Sequence, residues 1–224
     1  MKHKHSKPIN QNFLHNKQLV EQLLDYSNIS SSDLVIEIGG GSGMLTDGLI
    51  KRCGEIIVFE NDPRWYRHLV NKYRNCPNVQ VLPTDFLTYP LPKQPLKVLA
   101  SIPYDQTAAI IQKLTDGSSL QDAYLIMQKE AALKYTGLPH RSETLRSLLL
   151  KAEYHPEILY SLDRTDFRPV PAVDSVLWHI RHRPQPIDQS LYRDFITSVF
   201  LARGQSIKTR LSHVLSFAQI KRLG

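Results

Sequence analysis

The amino-acid sequence predicts an α/β fold with a parallel β-sheet and a small C-terminal helical lobe. Short runs rich in valine, isoleucine and leucine alternate with longer amphipathic stretches, which is the order that a parallel sheet with intervening helices produces. The chain has 224 residues, 42% of them hydrophobic, so it is long enough for one α/β domain plus a small appendage. A disordered chain is therefore not expected.

Strands and helices alternate along most of the sequence. The predicted strands are LVIEI (34–38), EIIVFE (55–60), VQVL (79–82), LKVLA (96–100), AYLIMQ (123–128) and SVLWHI (175–180). The predicted helices are 16–27, 43–53, 62–74, 107–115, 128–136, 142–152, 190–202 and 206–222.

The segment RHRPQP (181–186) predicts a linker, because neither of its prolines can continue a strand or a helix. It separates a sheet domain, residues 1–182, from a lobe, residues 183–224. The lobe has only about 40 residues, which is too few for an independent hydrophobic core.

The chain is basic, with 28 Lys and Arg against 21 Asp and Glu and a formal net charge of +7. This charge favours a polyanionic partner, because each phosphate that Lys or Arg neutralises releases counterions; a solvated basic surface is the alternative. Basic residues cluster at the start of the chain (Lys2 to Lys7), after the second strand (Arg64 to Arg74) and near the C-terminus (Arg203 to Arg222). Trp65 and Tyr66 lie in the second cluster, as half-buried packing residues or as surfaces that stack on RNA bases.

The sequence predicts a cytosolic protein, and nothing in it demands more than a monomer. The first residues, MKHKHSKPINQNF, contain no apolar segment of a signal peptide, and no later run approaches a membrane span. Cys53 and Cys76 are interpreted as packing or solvent-exposed residues without a disulfide or a catalytic role. The nine histidines form no H-E-x-x-H motif and no Cys/His ligand spacing, so no metal site is expected.

A glycine-rich loop follows the first predicted strand in VIEIGGGSG (35–43). Gly39, Gly41 and Gly43 give the spacing G-x-G-x-G, which differs from the G-x-G-x-x-G of dinucleotide enzymes, and the acidic Glu37 precedes the first glycine by two residues. This variant is typical of sites for S-adenosylmethionine (SAM), where backbone N–H groups approach the ligand closely. A structural tight turn is the alternative.

Acidic residues follow the next two strands in order. Glu60 ends the second strand, where a carboxylate can accept both hydroxyls of an adenosine ribose. Asp85 follows the third strand and is placed to accept from an adenine amino group. For either residue alone, a helix cap or a solvated loop carboxylate is the alternative interpretation.

The fourth strand ends in LASIPY (99–104), where a hydroxyl, a proline and an aromatic ring stand together. Pro103 restricts the backbone, so Ser101, the Ile102 carbonyl and Tyr104 are expected to face outward. We predict that Ser101 Oγ and the Ile102 carbonyl accept the N6 hydrogens of a target adenine while Tyr104 stacks on the base. The alternative is a strand end with a tyrosine that faces the core.

Taken together, these motifs resemble those of the rRNA adenine N6-methyltransferases of the Erm and KsgA type. The resemblance rests on QNFL (11–14), EIGGGSG, the Glu60/Asp62 pair in FEND, TDFL, SIPY and FRPVPAVDSV (167–176). It implies a class I SAM-dependent methyltransferase with a Rossmann-like sheet, a SAM cofactor and a ribosomal RNA substrate.

The resemblance also implies roles for individual residues. Asn12 and Leu14 would close over the cofactor, Gly39 would line its methionine part, and Phe167 would sandwich the extruded base against Tyr104. The implied cofactor-binding set is Asn12, Leu14, Gly39, Gly41, Glu60, Asp85, Phe86 and Ser101, and the implied catalytic set is Ser101, Ile102, Tyr104 and Phe167.

Ser101 departs from the family pattern, which has asparagine in N-[IL]-P-[YF]. A hydroxyl reaches less far than an amide, although serine does occur in the broader [DNS]-P-P-[YFW] pattern of amino-methylating enzymes. We expect an active enzyme, with a reduced rate or a single methylation as the consequence of this departure.

Four functions remain open at this stage. The short lobe favours an Erm-like enzyme acting on large-subunit RNA in the macrolide-binding region over a KsgA-like enzyme acting on paired small-subunit adenines. A non-catalytic RNA-binding relative is a further alternative, with Ser101 as the feature in its favour. A small-molecule methyltransferase is disfavoured by the charge and by QNFL.

Overall fold

A computed structural model describes residues 12–117, 119–183, 188–204 and 206–222. Its contacts divide the chain into two compact units. The first unit contains the described residues up to Ala132 together with Glu157–Arg181. The basic N-terminal arm, Gln11 of QNFL and the prolines of the predicted linker lie outside the described residues.

Seven strands form one sheet in the order β4-β3-β2-β5-β6-β9-β7, and β1 pairs with β8 in a separate two-stranded ladder. The strands are β1 (Phe13–Leu14), β2 (Leu34–Ile38), β3 (Glu55–Phe59), β4 (Val79–Leu82), β5 (Leu96–Ser101), β6 (Leu120–Gln128), β7 (Tyr154–Leu162), β8 (Phe167–Arg168) and β9 (Ser175–His182). Strands β2 to β6 pair in parallel, whereas β9 runs antiparallel to β6.

The central strands of this sheet are buried along almost their whole length because both of their faces are covered. All five residues of β2 are buried, as are the first five of β5. The carboxyl ends of parallel strands share one edge of the sheet, so the segments that follow β2, β3, β4 and β5 lie along that edge.

The helices begin at sequence positions that favour helix starts. They are α1 (Lys17–Asp25), α2 (Met44–Leu49), α3 (Pro63–Lys72), α4 (Thr107–Thr115), α5 (Lys129–Thr136), α6 (Leu145–Lys151), α7 (Gln189–Leu201), α8 (Ile207–Leu211) and α9 (Phe217–Arg222). Asn16 caps α1 through its side chain, and Asp62 caps α3, which has proline at its first position. A short 3₁₀ turn, Arg164–Asp166, precedes β8.

The core of the first unit lies between α1, α2 and the central strands. Leu23, Val35, Val58 and Leu99 are completely buried members of one apolar cluster. Trp178 on β9 is also completely buried. Burial of each such side chain contributes roughly 1.5–3 kcal/mol.

Most predicted elements are confirmed, and the errors have structural causes. The strands at 34–38 and 79–82 and the helix at 107–115 have the predicted bounds. Strand β7 was missed: it is an edge strand, and most of its central residues are only partly buried, so it lacks a clear hydrophobic alternation.

The single helix predicted at 206–222 is wrong, because the chain forms α8 and α9 there. Ser216 interrupts the helical run: its side chain and backbone N–H both bind Gln219 Oε1 at 2.8 Å, which starts a new helix.

The second unit consists of Leu133–Pro156 and the described residues from His182 onward. It therefore contains the predicted lobe and a further segment before β7. The Tyr192 hydroxyl of α7 donates to the Leu148 carbonyl of α6 at 3.0 Å, and Arg183 N–H donates to Glu153 O at 2.6 Å. These long-range contacts explain why residues 133–156 group with residues that follow them by about 40 positions.

Within the described ranges, no helix is both long and apolar enough to cross a membrane. The same part of the chain holds no group of three or more His, Cys, Asp or Glu side chains arranged for a metal ion.

Candidate active site

The glycine-rich loop after β2 is hydrogen-bonded to the end of β3. Gly39 and Gly41 adopt φ values of +76° and +50°, a region that side chains disfavour. The N–H groups of Gly39 and Gly40 donate to the Phe59 carbonyl at 2.8 and 3.3 Å. The loop is therefore held at the carboxyl edge of the sheet, and Gly39 itself is exposed there.

Glu60 is built into this loop through both of its carboxylate oxygens. Oε2 accepts the Gly41 N–H and Oε1 accepts the Asp62 N–H, each at 2.8 Å. The residue is only 3% exposed. Each oxygen keeps a second lone pair, so the carboxylate can accept two further hydroxyl donors without losing its backbone partners.

Glu37 lies beneath the glycine loop and is 1% exposed. Burial raises the pKa of this carboxyl to about 8, and the nearby charges of Asp47 and Glu60 act in the same direction. The Thr46 hydroxyl donates to Oε2 at 2.6 Å, which partly offsets the effect. The sequence showed an acid before the loop, but its burial and its pKa depend on packing.

The segment after β4 places Asp85 and Phe86 near β3. Asp85 Oδ1 accepts the Leu87 N–H at 2.8 Å, which leaves Oδ2 without a hydrogen bond among the described residues. Phe86 is 3% exposed and meets Phe59 edge to face, with ring centroids 5.5 Å apart.

Lys113, on α4, supports this segment and was not recognised from the sequence. Its Nζ donates to the carbonyls of Leu87 at 2.9 Å and Tyr89 at 2.5 Å and lies 5.2 Å from the centre of the Phe86 ring. A lysine in an amphipathic helix carries no local signal for such a role, because its partners are more than 20 residues away.

Ser101 is the last residue of β5, and Ile102 continues beside β6. The Ile102 N–H donates to the Ile126 carbonyl at 3.1 Å, which fixes the orientation of this peptide. In the described part of the chain, neither Ser101 Oγ nor the Ile102 carbonyl oxygen has a hydrogen-bond partner. A Cβ built on Gly39 would lie 3.9 Å from the Ser101 backbone carbonyl oxygen, so the end of β5 adjoins the glycine loop.

Tyr104 is partly buried and is held by one polar contact. Its hydroxyl lies 2.7 Å from Ser175 Oγ, at the start of β9. Ser175 belongs to the FRPVPAVDSV segment, yet the sequence alone does not pair these two residues. Because the hydroxyl is anchored, the long axis of the ring is directed toward the start of β9.

The N-terminal segment meets the segment of Phe167 through β1 and β8. Leu14 pairs with Phe167 and Phe13 pairs with Arg168, in antiparallel register. Leu14 is 5% exposed and Phe167 only 1%, and both belong to the core cluster. Asn12, by contrast, is partly exposed.

The structure thus brings several predicted site residues together, but not all of them. Contacts connect Gly39 with Ser101 and Gly41 with Glu60, and Phe59 links the glycine loop to Phe86. Among the described residues, no hydrogen bond or ring contact joins Tyr104 to Phe167. The sandwich of a base between these two rings stays a prediction.

Comparison with known proteins places this arrangement in a family. The model of the family described as ribosomal RNA adenine dimethylase matches residues 2–223. A protein named rRNA adenine N-6-methyltransferase from Aeromicrobium erythreum is 31% identical over 209 residues, which cover 91% of this chain and 61% of that protein. The chain therefore spans about three fifths of the length of that relative.

Two further similar proteins are covered over a larger share of their own length. Ribosomal RNA small subunit methyltransferase A from Ureaplasma urealyticum is 28% identical over 223 residues, covering 93% of this chain and 79% of that protein. A crystal structure of the 23S rRNA methyltransferase ErmE superposes with a TM-score of 0.88 at 27% identity, covering 94% of this chain and 88% of that one.

Proposed function

The chain belongs to the ribosomal RNA adenine dimethylase family, and from this premise we propose that it transfers a methyl group from SAM to the exocyclic N6 of an adenine in ribosomal RNA. One observation carries the proposal. Ser101 Oγ and the Ile102 carbonyl oxygen are acceptors without partners among the described residues, and they belong to the end of β5, whose Ser101 backbone carbonyl lies beside Gly39.

The proposed cofactor site, formed by Gly39, Glu60 and Asp85, fits the chemistry of an adenosine with an attached amino acid. The exposed backbone of Gly39 admits close approach of the methionine part, and the fixed carboxylate of Glu60 is suited to the ribose hydroxyls. The free Oδ2 of Asp85 is suited to the adenine amino group. None of these groups needs a phosphate, which agrees with a cofactor that carries none.

Two acceptors at the reacting amine perform the main chemical task. Bound SAM supplies an electrophilic methyl group on a sulfonium. Ser101 Oγ and the Ile102 carbonyl accept the two N6 hydrogens, so the nitrogen lone pair is drawn out of conjugation with the ring and aimed at the methyl carbon. SAM, held by Gly39, Glu60 and Asp85, would supply the methyl group to N6, and one N6 proton would be lost to water. Correct positioning of the target amine and the methyl group supplies most of the rate acceleration.

Base stacking offsets the cost of extruding the adenine. Removing a base from its stack costs a few kcal/mol, and one aromatic contact returns roughly 1–3 kcal/mol. Tyr104, held by Ser175, is the ring that the proposal uses. A role for Phe167 would require its ring, now 1% exposed, to leave the core cluster.

For the substrate we favour large-subunit RNA in the macrolide-binding region. The close superposition on the 23S rRNA methyltransferase ErmE supports this choice. The alternative is a small-subunit RNA, which the similarity to the Ureaplasma urealyticum protein favours. Basic residues of α3 and of the second unit would hold the surrounding phosphates. A ribosomal substrate places the reaction in the cytoplasm, and we propose a monomer.

Methylation of ribosomal RNA that lacks the modification tests the function. The chain is incubated with SAM labelled in its methyl group and with unmodified 23S or 16S rRNA, and primer extension then locates the modified adenine. Incorporation into 23S rRNA is expected, and expression in a sensitive cell should then raise macrolide resistance. Incorporation into 16S rRNA alone would support the second substrate. RNA binding without any incorporation would support a non-catalytic relative.

A further inference from the structure

Trp65 lies in the first turn of α3 and directs its ring toward the N-terminal segment. The centroids of Trp65 and Phe13 are 5.1 Å apart at an interplanar angle of 52°. His68, one turn further along α3, meets the Trp65 ring edge to face, with centroids 5.7 Å apart. The indole therefore contacts both Phe13 and a residue of its own helix.

Phe13 in turn lies directly on the glycine loop. A Cβ built on Gly41 would come within 2.7 Å of Cε1 and 3.0 Å of Cδ1 of the Phe13 ring. The N–H of Gly41 donates to Glu60, the carboxylate assigned above to the ribose. Contacts thus run without interruption from Trp65 through Phe13 and Gly41 to Glu60.

The backbone that carries Phe13 is held on one side, where the His15 N–H donates to the Asp166 carbonyl at 3.3 Å and His15 Nε2 lies 2.9 Å from the Thr165 carbonyl. It pairs with β8 over only two residues, Phe13 with Arg168 and Leu14 with Phe167. A two-residue ladder is too short to fix a segment by its hydrogen bonds alone. Strand alternation places the Leu14 side chain on the face opposite Phe13, and Leu14 is buried in the core cluster, so the position of Phe13 chiefly affects Asn12, which precedes it.

We infer that Trp65 is a positioning residue for the cofactor site: it holds Phe13 against Gly41 and thereby sets the adjoining Asn12 over the bound cofactor. This inference rests on the proposed function, because it assumes that SAM occupies the proposed cofactor site beside Gly39. Trp65 does not touch the reacting atoms. Its effect is on cofactor affinity, through the N-terminal segment.

Calorimetric titration of the full chain with S-adenosylhomocysteine tests this role. Trp65→Ala is expected to weaken binding about tenfold, since an aromatic pair contributes up to about 1.5 kcal/mol beyond its buried area. Trp65→Phe keeps a ring against Phe13 and should restore the affinity to within about threefold of the native chain. Tyr66→Ala, at the next partly buried position of α3, is the matched control and should leave the affinity within about twofold of the native chain.

A double-mutant cycle shows whether Phe13 carries the effect. Phe13→Ala and Trp65→Ala should each weaken binding, and the double variant should bind about as tightly as Phe13→Ala alone. Additive losses would mean that Trp65 acts elsewhere, which would overturn the inference.

Tryptophan fluorescence gives a second readout that does not depend on the folding of Trp65→Ala. The chain has two tryptophans, and Trp178 is completely buried in the core. Addition of S-adenosylhomocysteine should change the emission of the native chain, and Trp65→Phe should abolish that change.

The remaining outcomes separate this inference from the proposed function. Native binding with an unchanged affinity in Trp65→Ala would overturn the positioning role alone. Loss of RNA affinity in Trp65→Ala with unchanged cofactor affinity would mark the indole as an RNA contact and would also overturn it. A native chain that does not bind S-adenosylhomocysteine at all would overturn the proposed function.

Discussion

At the scale of single residues, Ser101 is the side chain that we propose holds the target amine. It ends β5 beside the glycine loop, and its hydroxyl has no hydrogen-bond partner in the described part of the chain. The family pattern has asparagine here, whose amide oxygen stands one bond further from the backbone. The serine hydroxyl can still accept a hydrogen bond from the adenine N6 amino group, but it extends less far from the backbone than the asparagine amide oxygen does.

Removal of the Ser101 hydroxyl should therefore reduce methyl transfer. Ser101→Ala is expected to lower the initial rate of labelled methyl incorporation by roughly 10²–10³, the usual cost of one oriented group at a reacting centre. Ser101→Asn should retain or raise the rate, because the amide restores the longer acceptor. Thermal melting of both variants serves as the control for folding, and an unchanged rate in Ser101→Ala would contradict the assigned role.

Glu37 makes the stability of the fold depend on pH. In the folded state the pKa of this carboxyl is about 8, against an ordinary value of 4.5, because the group is buried. Between these two values the unfolded chain releases the proton while the folded chain keeps it. The free energy of unfolding should therefore fall as the pH rises through this window, by up to about 1.4 kcal/mol per pH unit.

Glu37→Gln removes this dependence and keeps an acceptor for the Thr46 hydroxyl. Urea unfolding of the native chain and the variant, from pH 5 to 8.5, should show a shallower decline for Glu37→Gln and a higher stability at the alkaline end. Thr46→Val removes the hydrogen bond that favours the ionised carboxylate, so its decline should extend to higher pH. Parallel curves for the native chain and Glu37→Gln would disprove the assignment.

At the scale of elements, α4 holds the segment that carries Asp85 and Phe86. The link is Lys113, whose ammonium binds two carbonyls of that segment and whose charge lies near the Phe86 ring. The sheet positions the start of the segment, at the end of β4, and the helix positions its end. The adenine site that we propose at Asp85 would therefore depend on an element that does not line it.

Lys113→Met tests this link, because methionine keeps much of the apolar stem and loses both hydrogen bonds. Affinity for S-adenosylhomocysteine should fall roughly fivefold to tenfold. The corresponding loss of binding free energy is only a part of the roughly 1.5–3 kcal/mol that each hydrogen bond from a charged group contributes to stability. Gln112→Met, at an exposed neighbouring position on the same helix, should leave the affinity unchanged. Equal affinities for both variants would exclude a positioning role for Lys113.

At the scale of the whole molecule, we propose that the excess of positive charge holds the RNA. The second unit carries basic side chains on its last two helices, among them Lys208 on α8 and Lys221 on α9. Each phosphate that such a residue neutralises contributes about −0.7 to −0.9 to the slope of log affinity against log salt concentration. The RNA affinity of this chain should therefore fall steeply with salt.

Substitution of both lysines by glutamine should flatten that slope by about 1–2 and weaken binding to all RNA sequences alike. Lys51→Gln is the control, because Lys51 faces Glu21 in the first unit at 3.6 Å. The measurement is RNA binding between about 50 and 300 mM salt. A slope that stays the same in the double variant would show that the predicted lobe does not contact phosphate.

The sequence by itself determined the parallel strands, the glycine loop and the order of the residues at the strand ends. Hydrophobic periodicity and the backbone restrictions of glycine and proline act over a few neighbouring residues, so LVIEI, GGGSG and SIPY carry their structure locally. The family motifs are contiguous for the same reason.

Only the tertiary structure decided how those pieces are supported. The bond from Lys113 to Leu87, the contact of Trp65 with Phe13, the anchoring of Tyr104 by Ser175 and the burial of Phe167 all join residues that are distant in the sequence. Such contacts depend on how whole elements pack, and no periodicity within one element encodes them. The same reason explains why residues 133–156 belong to the second unit, which the linker at 181–186 did not predict.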